Sequence, residues 1–209
     1  RGLLRCMDLF PLPDPIPLPA RLPVMVLQDC YLFPGCALPL YIFEERYRSM
    51  LRAALAGDRM FCIGARTGAD DDAILPWSTA GLISACVRQA DGTSHLILHG
   101  LRRVRLAGWT QEEPFRIAAV QPLEIQSGSA DEAGELLAEL LELLPAGDAF
   151  CPKTTEKMRS QLSQGQCPDY VCDILAYQFV RDVETLRALL AETDTTRRLR
   201  LLSDALRRL

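Results

Sequence analysis

Apolar residues along the first 125 positions recur in short runs at strand-like spacing, and beyond Ser129 they recur at helical spacing. This change of period predicts a mainly β part followed by a helical part. The runs cover 22–27, 36–41, 60–65, 81–88, 95–98, 104–107 and 115–120, with Gly and Pro between them. Asp91-Gly92 stands between Ile83-Ala85-Val87 and Leu96-Leu98, and it predicts a tight β-hairpin there. One helix interrupts the strands. Phe43, Tyr47, Met50, Leu51 and Ala54 recur at spacings of three and four, Glu44 and Glu45 occupy the first turn, and Gly57 is a natural stop.

Gln126-Ser127-Gly128-Ser129-Ala130 is a linker-like break. After it, Asp131 and Glu132 open a helix whose apolar positions run from Leu136 to Leu144 and which Pro145 and Gly147 end. Further helices are predicted over 154–162, 169–180 after Pro168, 183–192 and 195–209. The expected organisation is a β domain over 1–126 and a helical bundle over 127–209. Ahead of the first strand, prolines at 11, 13, 15, 17, 19 and 23 fix φ repeatedly and remove donors, which predicts an extended arm. It lies along the domain surface or serves as a polyproline-type docking segment.

The 209 residues are 49% hydrophobic, enough for one large or two modest cores. The formal net charge is −4, and all of the excess falls on 126–209, since residues 1–125 carry equal numbers of basic and acidic side chains. Neither part has the basic footprint of a nucleic-acid binder, and an anionic membrane surface would repel the chain. No apolar stretch approaches the roughly 18–20 residues of a membrane-spanning helix. Of the eight cysteines, Cys62 and Cys86 read as small core residues. No C-x-x-C occurs, so free thiols in a reducing cytosol are expected. The chain does not begin with methionine, so an upstream targeting segment remains an open alternative.

The chemistry of an enzyme is missing. There is no P-loop, because neither Lys153 nor Lys157 follows a glycine, and no G-x-G-x-x-G, H-E-x-x-H or G-x-S-x-G. His95 and His99 are four apart on a strand, with Cys86 across the hairpin as a conceivable third metal ligand; an exposed histidine pair is the preferred reading, and no metal or cofactor is expected. Asp70-Asp71-Asp72 reads as a solvated loop. Arg102, Arg103 and Arg105 alternate with Val104 and Leu106, as on the polar face of a half-buried strand. Arg207 and Arg208 complement the dipole of the last helix.

Leu22-Pro23-Val24-Met25-Val26-Leu27, then Leu32-Phe33-Pro34-Gly35, Leu38-Pro39-Leu40 and Ile42-Phe43-Glu44-Glu45-Arg46-Tyr47 together resemble the opening signature of the Lon amino-terminal domain family. The likeness continues in Gly81-Leu82-Ile83, in Leu98-His99-Gly100-Leu101-Arg102-Arg103-Val104-Arg105, and in Leu189-Leu190-Ala191-Glu192-Thr193-Asp194 with Arg197, Arg198 and Leu199. It implies an α+β fold: a PUA-like pseudo-barrel of mostly antiparallel strands with one interrupting helix, followed by a C-terminal helical bundle. It also implies a freestanding bacterial member without the Lon ATPase or peptidase domains. Pro34-Gly35 would form a tight turn, and Leu38, Leu40 and Phe43 a core, so the signature encodes fold rather than a site.

The function this implies is a non-catalytic, cytoplasmic protein-binding module, an adaptor or holdase, whose partners are polypeptide segments. The alternatives are an RNA-binding PUA-like protein and an enzyme with an unrecognised pocket. Candidate partner-binding residues are the aromatic groups in loops or at strand ends: Tyr31, Phe33, Trp77 and Trp109, with burial in the core as the competing reading of each.

Overall fold

Two of the apolar runs are too dense for strands with one wet face. Strands β1 (Arg21–Gln28) and β3 (Met60–Arg66) lie side by side in parallel, Val24 beside Cys62 and Leu27 beside Ala65. Leu22, Val24, Val26, Met60 and Cys62 point into one cluster, while Met25, Phe61 and Ile63 point into another, so both faces of the pair are covered. Continuous apolar runs are what strands buried on both faces require.

The computed structural model describes residues 16–66, 73–144 and 167–208. The chain divides into two compact units, Arg1–Leu123 and Glu124–Leu209. In the first, β1 and β3 are joined by β2 (Ala37–Ile42), β4 (Trp77–Arg88), β5 (Ser94–Gln111) and β6 (Ile117–Pro122) in the order β2-β5-β4-β3-β1-β6. Strand β6 also pairs with β5, which closes β5-β4-β3-β1-β6 into a ring and leaves β2 outside it. Every pairing except β1–β3 is antiparallel.

Helix α1 (Glu45–Ala56) covers the outside of the β1–β3 pair with Tyr47, Met50, Leu51 and Ala54. The Tyr47 hydroxyl donates to the Val26 carbonyl at 2.7 Å, so the helix is pinned by a polar bond as well as by packing. The helix begins at Glu45 and not at Phe43, which is 58% exposed. The core role expected of Phe43 is therefore not what the structure places there. Leu38 and Leu40 do pack against the α1 cluster.

The two runs 95–98 and 104–107 form one strand, β5. Gly100, read as punctuation, lies in its middle for a steric reason: a Cβ there would sit 2.1 Å from the Phe33 carbonyl oxygen. The Leu32–Gly35 loop crosses the sheet at this point. Gly35 N–H donates to the Gly100 carbonyl, and Gly100 N–H donates to the Cys36 carbonyl, each at 2.8 Å. Cys36 N–H donates to the Phe33 carbonyl at 3.1 Å across Pro34-Gly35, with Gly35 at φ +74, the turn expected of that dipeptide.

The same crossing buries Arg103, which is 1% exposed, its guanidinium 5.9 Å from the centre of the Phe33 ring. Arg103 does not line a solvated face, as its alternation with Val104 suggested, because the loop covers that side of β5. The β4–β5 hairpin turns at Asp91-Gly92 with Gly92 at φ +83. Thr93 donates to the Asp91 carboxylate through its amide (2.9 Å) and its hydroxyl (2.7 Å), and these bonds hold that carboxyl below its ordinary range.

In the second unit, α2 (Ala130–Leu143), α3 (Pro168–Phe179) and α4 (Val183–Ala191) all touch α5 (Thr195–Leu206). Ser129, Asp182 and Asp194 cap α2, α4 and α5 through side-chain oxygens. The buried Arg198 of α5 donates to Asp173 at 2.9 Å and pairs with Asp169, both on α3. Arg200 and Arg207 pair with Glu132 and Glu139 of α2, so Arg207 serves a tertiary contact at the helix end.

The predicted helix 154–162, the acidic loop 70–72 and positions 11–15 of the proline-rich segment lie outside the described residues. Of that segment's described end, Ile16 and Leu18 pack on the cluster inside the ring, and Ala20 accepts from Val120 N–H at 3.0 Å. Among the described residues no disulfide joins two cysteines, and no helix is long and apolar enough to cross a membrane.

Candidate functional site

Because β2, β5 and β4 pair in register, their outward-facing side chains form cross-strand rows. Tyr41, His95 and Val87 make one row, and Pro39, Ile97 and Ala85 the next. Leu38, Leu40, Leu96 and Leu98, in the opposite phase, pack inward. The outward rows remain uncovered: Tyr41 is 47%, Val87 61% and Ile97 41% exposed. Tyr41 stacks on His95 with ring centres 4.7 Å apart, and on Phe43 at 5.6 Å. A shallow cavity of 400 Å³ opens over these residues, and no Asp, Glu, Lys or Arg lines it. Large apolar groups gathered on an exposed face without charged residues make it the candidate interaction surface of the described residues.

His99 shares this face, opposite Ala37 and Leu82, and burial alone holds its imidazole below the ordinary value of 6.5. The unfolded chain therefore takes up this proton first. The contribution to stability is complete above about pH 6.5 and declines as the pH falls below it. Urea midpoints measured on both sides of that value should show stability falling toward acid, and His99→Gln should flatten this slope. A slope unchanged in the variant would assign it to another group.

Among the described residues, the histidines and cysteines do not come together as a catalytic group. Cys86 lies opposite Leu96, in the phase opposite to His95 and Val87, so the strand pair directs the thiol away from the exposed histidine. Burial pushes the Cys62 thiol up to about 12 and the Cys30 thiol to about 11, where neither ionises near neutrality. Among the described residues no three His, Cys, Asp or Glu side chains converge as metal ligands.

The four aromatic candidates sit on different elements. Tyr31 and Phe33 are buried in the β1–β2 loop, at 6% and 0% exposure, so their rings are within the core as placed. Trp77 opens β4, half-buried, with Arg105 over its ring at 5.9 Å. Trp109, near the end of β5, is 37% exposed, with Arg116 over its ring at 5.2 Å. The surface built from Pro39, Tyr41, Phe43, Val87, His95 and Ile97 was missed at the level of sequence. Its signal was present: apolar residues occupy both phases of ALPLYI and of the strand around Ile97, where one phase suffices for a core.

The arginines of α1 are matched by neighbouring carboxylates. Arg46 pairs with Glu44 at 2.8 Å, and Arg48 and Arg52 with Glu45 at 3.2 and 3.4 Å. A second cavity, of 340 Å³, has Arg46, Arg66 and Arg116 in its wall, but Glu112 and Glu113 line it too. Mixed signs of this kind give no phosphate-tracking groove.

Fold and surface together define a small α+β protein: a ring of strands bearing an apolar face without charged residues, with a helical unit after it in the chain. The chain belongs to the family of the ATP-dependent protease La (LON) substrate-binding domain, whose family model matches residues 21–208. It is 25% identical over 187 residues to a Lon protease of Dictyoglomus thermophilum, covering 87% of this chain and 24% of that protein. It is 22% identical over 204 residues to Lon protease 2 of Myxococcus xanthus, covering 91% and 24%. The chain thus spans about a quarter of the length of these curated relatives. Among solved structures, the N-terminal domain of Mycobacterium avium complex Lon protease superposes with a TM-score of 0.69 at 22% identity, covering 90% of this chain and 98% of that one. A Lon N-terminal domain protein from Xanthomonas campestris gives 0.64 at 24% identity, covering 87% and 96%.

Proposed function

We propose that this chain is a non-catalytic polypeptide-recognition module of the cytoplasm, acting as an adaptor or holdase, that captures exposed apolar segments of other proteins on the outer face of β2, β5 and β4. The observation that carries this reading is the face without charged residues on which Tyr41, Val87 and Ile97, from two adjacent cross-strand rows, are 41–61% exposed. Membership in a substrate-binding family supports it. So does the separation, among the described residues, of the exposed His95 from the Cys86 thiol. An RNA-binding role ranks behind it, since the arginines of α1 are matched by carboxylates.

The test is binding of a reduced, carboxymethylated unfolded protein, followed by fluorescence anisotropy in low and high salt. Burying one side chain of this size contributes about 1.5–3 kcal/mol, so the Val87→Ser and Ile97→Ser variants should each bind about tenfold more weakly or worse. Binding should survive high salt. Wild-type affinity in both variants, or tight salt-labile binding of RNA instead, would overturn the proposal.

A further inference from the structure

The backbone along β2 decides what form of polypeptide this face can accept. Strand β2 pairs with β5 on one side, and no described strand lies on its other side. Gly100 N–H donates to the Cys36 carbonyl, which sets the phase of the ladder: residues 36, 38, 40 and 42 direct their backbone groups toward β5, and 37, 39 and 41 direct theirs outward. Proline at position 39 is compatible with this phase alone, because it has no N–H to give to β5. The consequence is an outer edge without a donor at its centre, where an added strand would need one.

The face beside that edge is equally poor in hydrogen-bonding groups. Its lining includes Pro39, Tyr41, Ala85, Val87, His95 and Ile97, and of all its lining side chains only Tyr41, His95 and the weakly bonding thiol of Cys86 carry a hydrogen-bonding group. An extended segment laid across it would bury peptide N–H and C=O groups without partners, at a cost of about 1–3 kcal/mol for each. A helix carries its backbone bonds within itself and presents only side chains. The absence of any charged lining residue further requires that the contacting stripe be uncharged.

We infer that the occupant of this face is the apolar stripe of a short amphipathic helix from a client polypeptide, seated by its side chains and not added as a further strand to β2. This inference rests on the polypeptide-recognition reading and specifies its substrate class. The experiment compares two labelled peptides of identical composition with the intact protein. One spaces its apolar residues at i, i+3, i+4 and i+7, and the other alternates them at i and i+2.

The helix-patterned peptide should bind at least tenfold tighter, gain helical circular dichroism when bound, and lose affinity on a central proline substitution. Val87→Ser and Ile97→Ser should weaken it. Equal affinities, or a strand-like amide I band for an isotope-labelled bound peptide, would overturn the helical mode and leave the recognition reading intact. Failure of both peptides to bind would overturn both. Sedimentation showing a dimer that Ile97→Ser dissolves would assign the face to a second copy and also refute the inference.

Discussion

Replacing Arg198 by alanine should cost about 3–5 kcal/mol, the scale for breaking a desolvated ion pair by removing one partner. Arg198 is completely buried, and Asp173, to which it donates, is 1% exposed. Asp169, one turn earlier on α3, pairs with the same guanidinium and accepts from the Thr195 hydroxyl at 3.3 Å. Alanine would leave the Asp173 carboxylate in a low-dielectric interior with its cation gone. Urea unfolding followed by far-ultraviolet circular dichroism measures the loss. Lysine should not rescue it, because a single ammonium lacks the planar fork that reaches two carboxylates. The double variant Arg198→Met with Asp173→Leu should recover much of the stability, since apolar residues of similar volume tolerate the site. A single-variant cost below about 1 kcal/mol would mean that water reaches the pair.

The second large effect is expected at Gly100. Adding one methyl there would bring a carbon within 2.1 Å of the Phe33 carbonyl oxygen and 2.9 Å of its carbon. Both are backbone atoms, held by the Gly35 and Cys36 bonds, so no side chain can rotate away. Gly100→Ala should therefore destabilise at the upper end of the about 1–3 kcal/mol typical of overpacking. Gly134 is the opposite case. It is exposed within α2, nothing lies within 4 Å of its missing Cβ, and Gly134→Ala should stabilise by about 0.4–1 kcal/mol. Thermal or urea unfolding of both variants separates the steric effect from the conformational one; similar behaviour would show that the loop at Phe33 yields.

Much of the β-then-α architecture was legible because it rests on local rules. The Asp91-Gly92 turn, the Pro34-Gly35 turn and the starts of α3, α4 and α5 each follow from a residue that one backbone conformation favours. What escaped detection depended on a single non-local event, the crossing of the Leu32–Gly35 loop over β5. That crossing turns Gly100 from an apparent break into the middle of an 18-residue strand. It also buries Arg103, whose alternation with Val104 is indistinguishable in sequence from that of a wet strand. The aromatic residues in loops were sensible anchors by composition, yet the same loop carries Tyr31 and Phe33 inward. Val87 and Ile97, which look like core residues, face outward because one extra strand, β2, lies beyond the ring and nothing described lies beyond it.

The position of Pro39 bears finally on edge-to-edge pairing of strands. An open strand edge flanked by exposed aromatic and branched side chains is the template from which cross-β fibrils grow, each added chain offering the same edge to the next. A proline whose missing donor faces outward interrupts this propagation at its first step, and leaves the exposed apolar side chains of the adjoining face in place. An apolar face and an edge that resists strand addition are thereby combined within six residues of one strand.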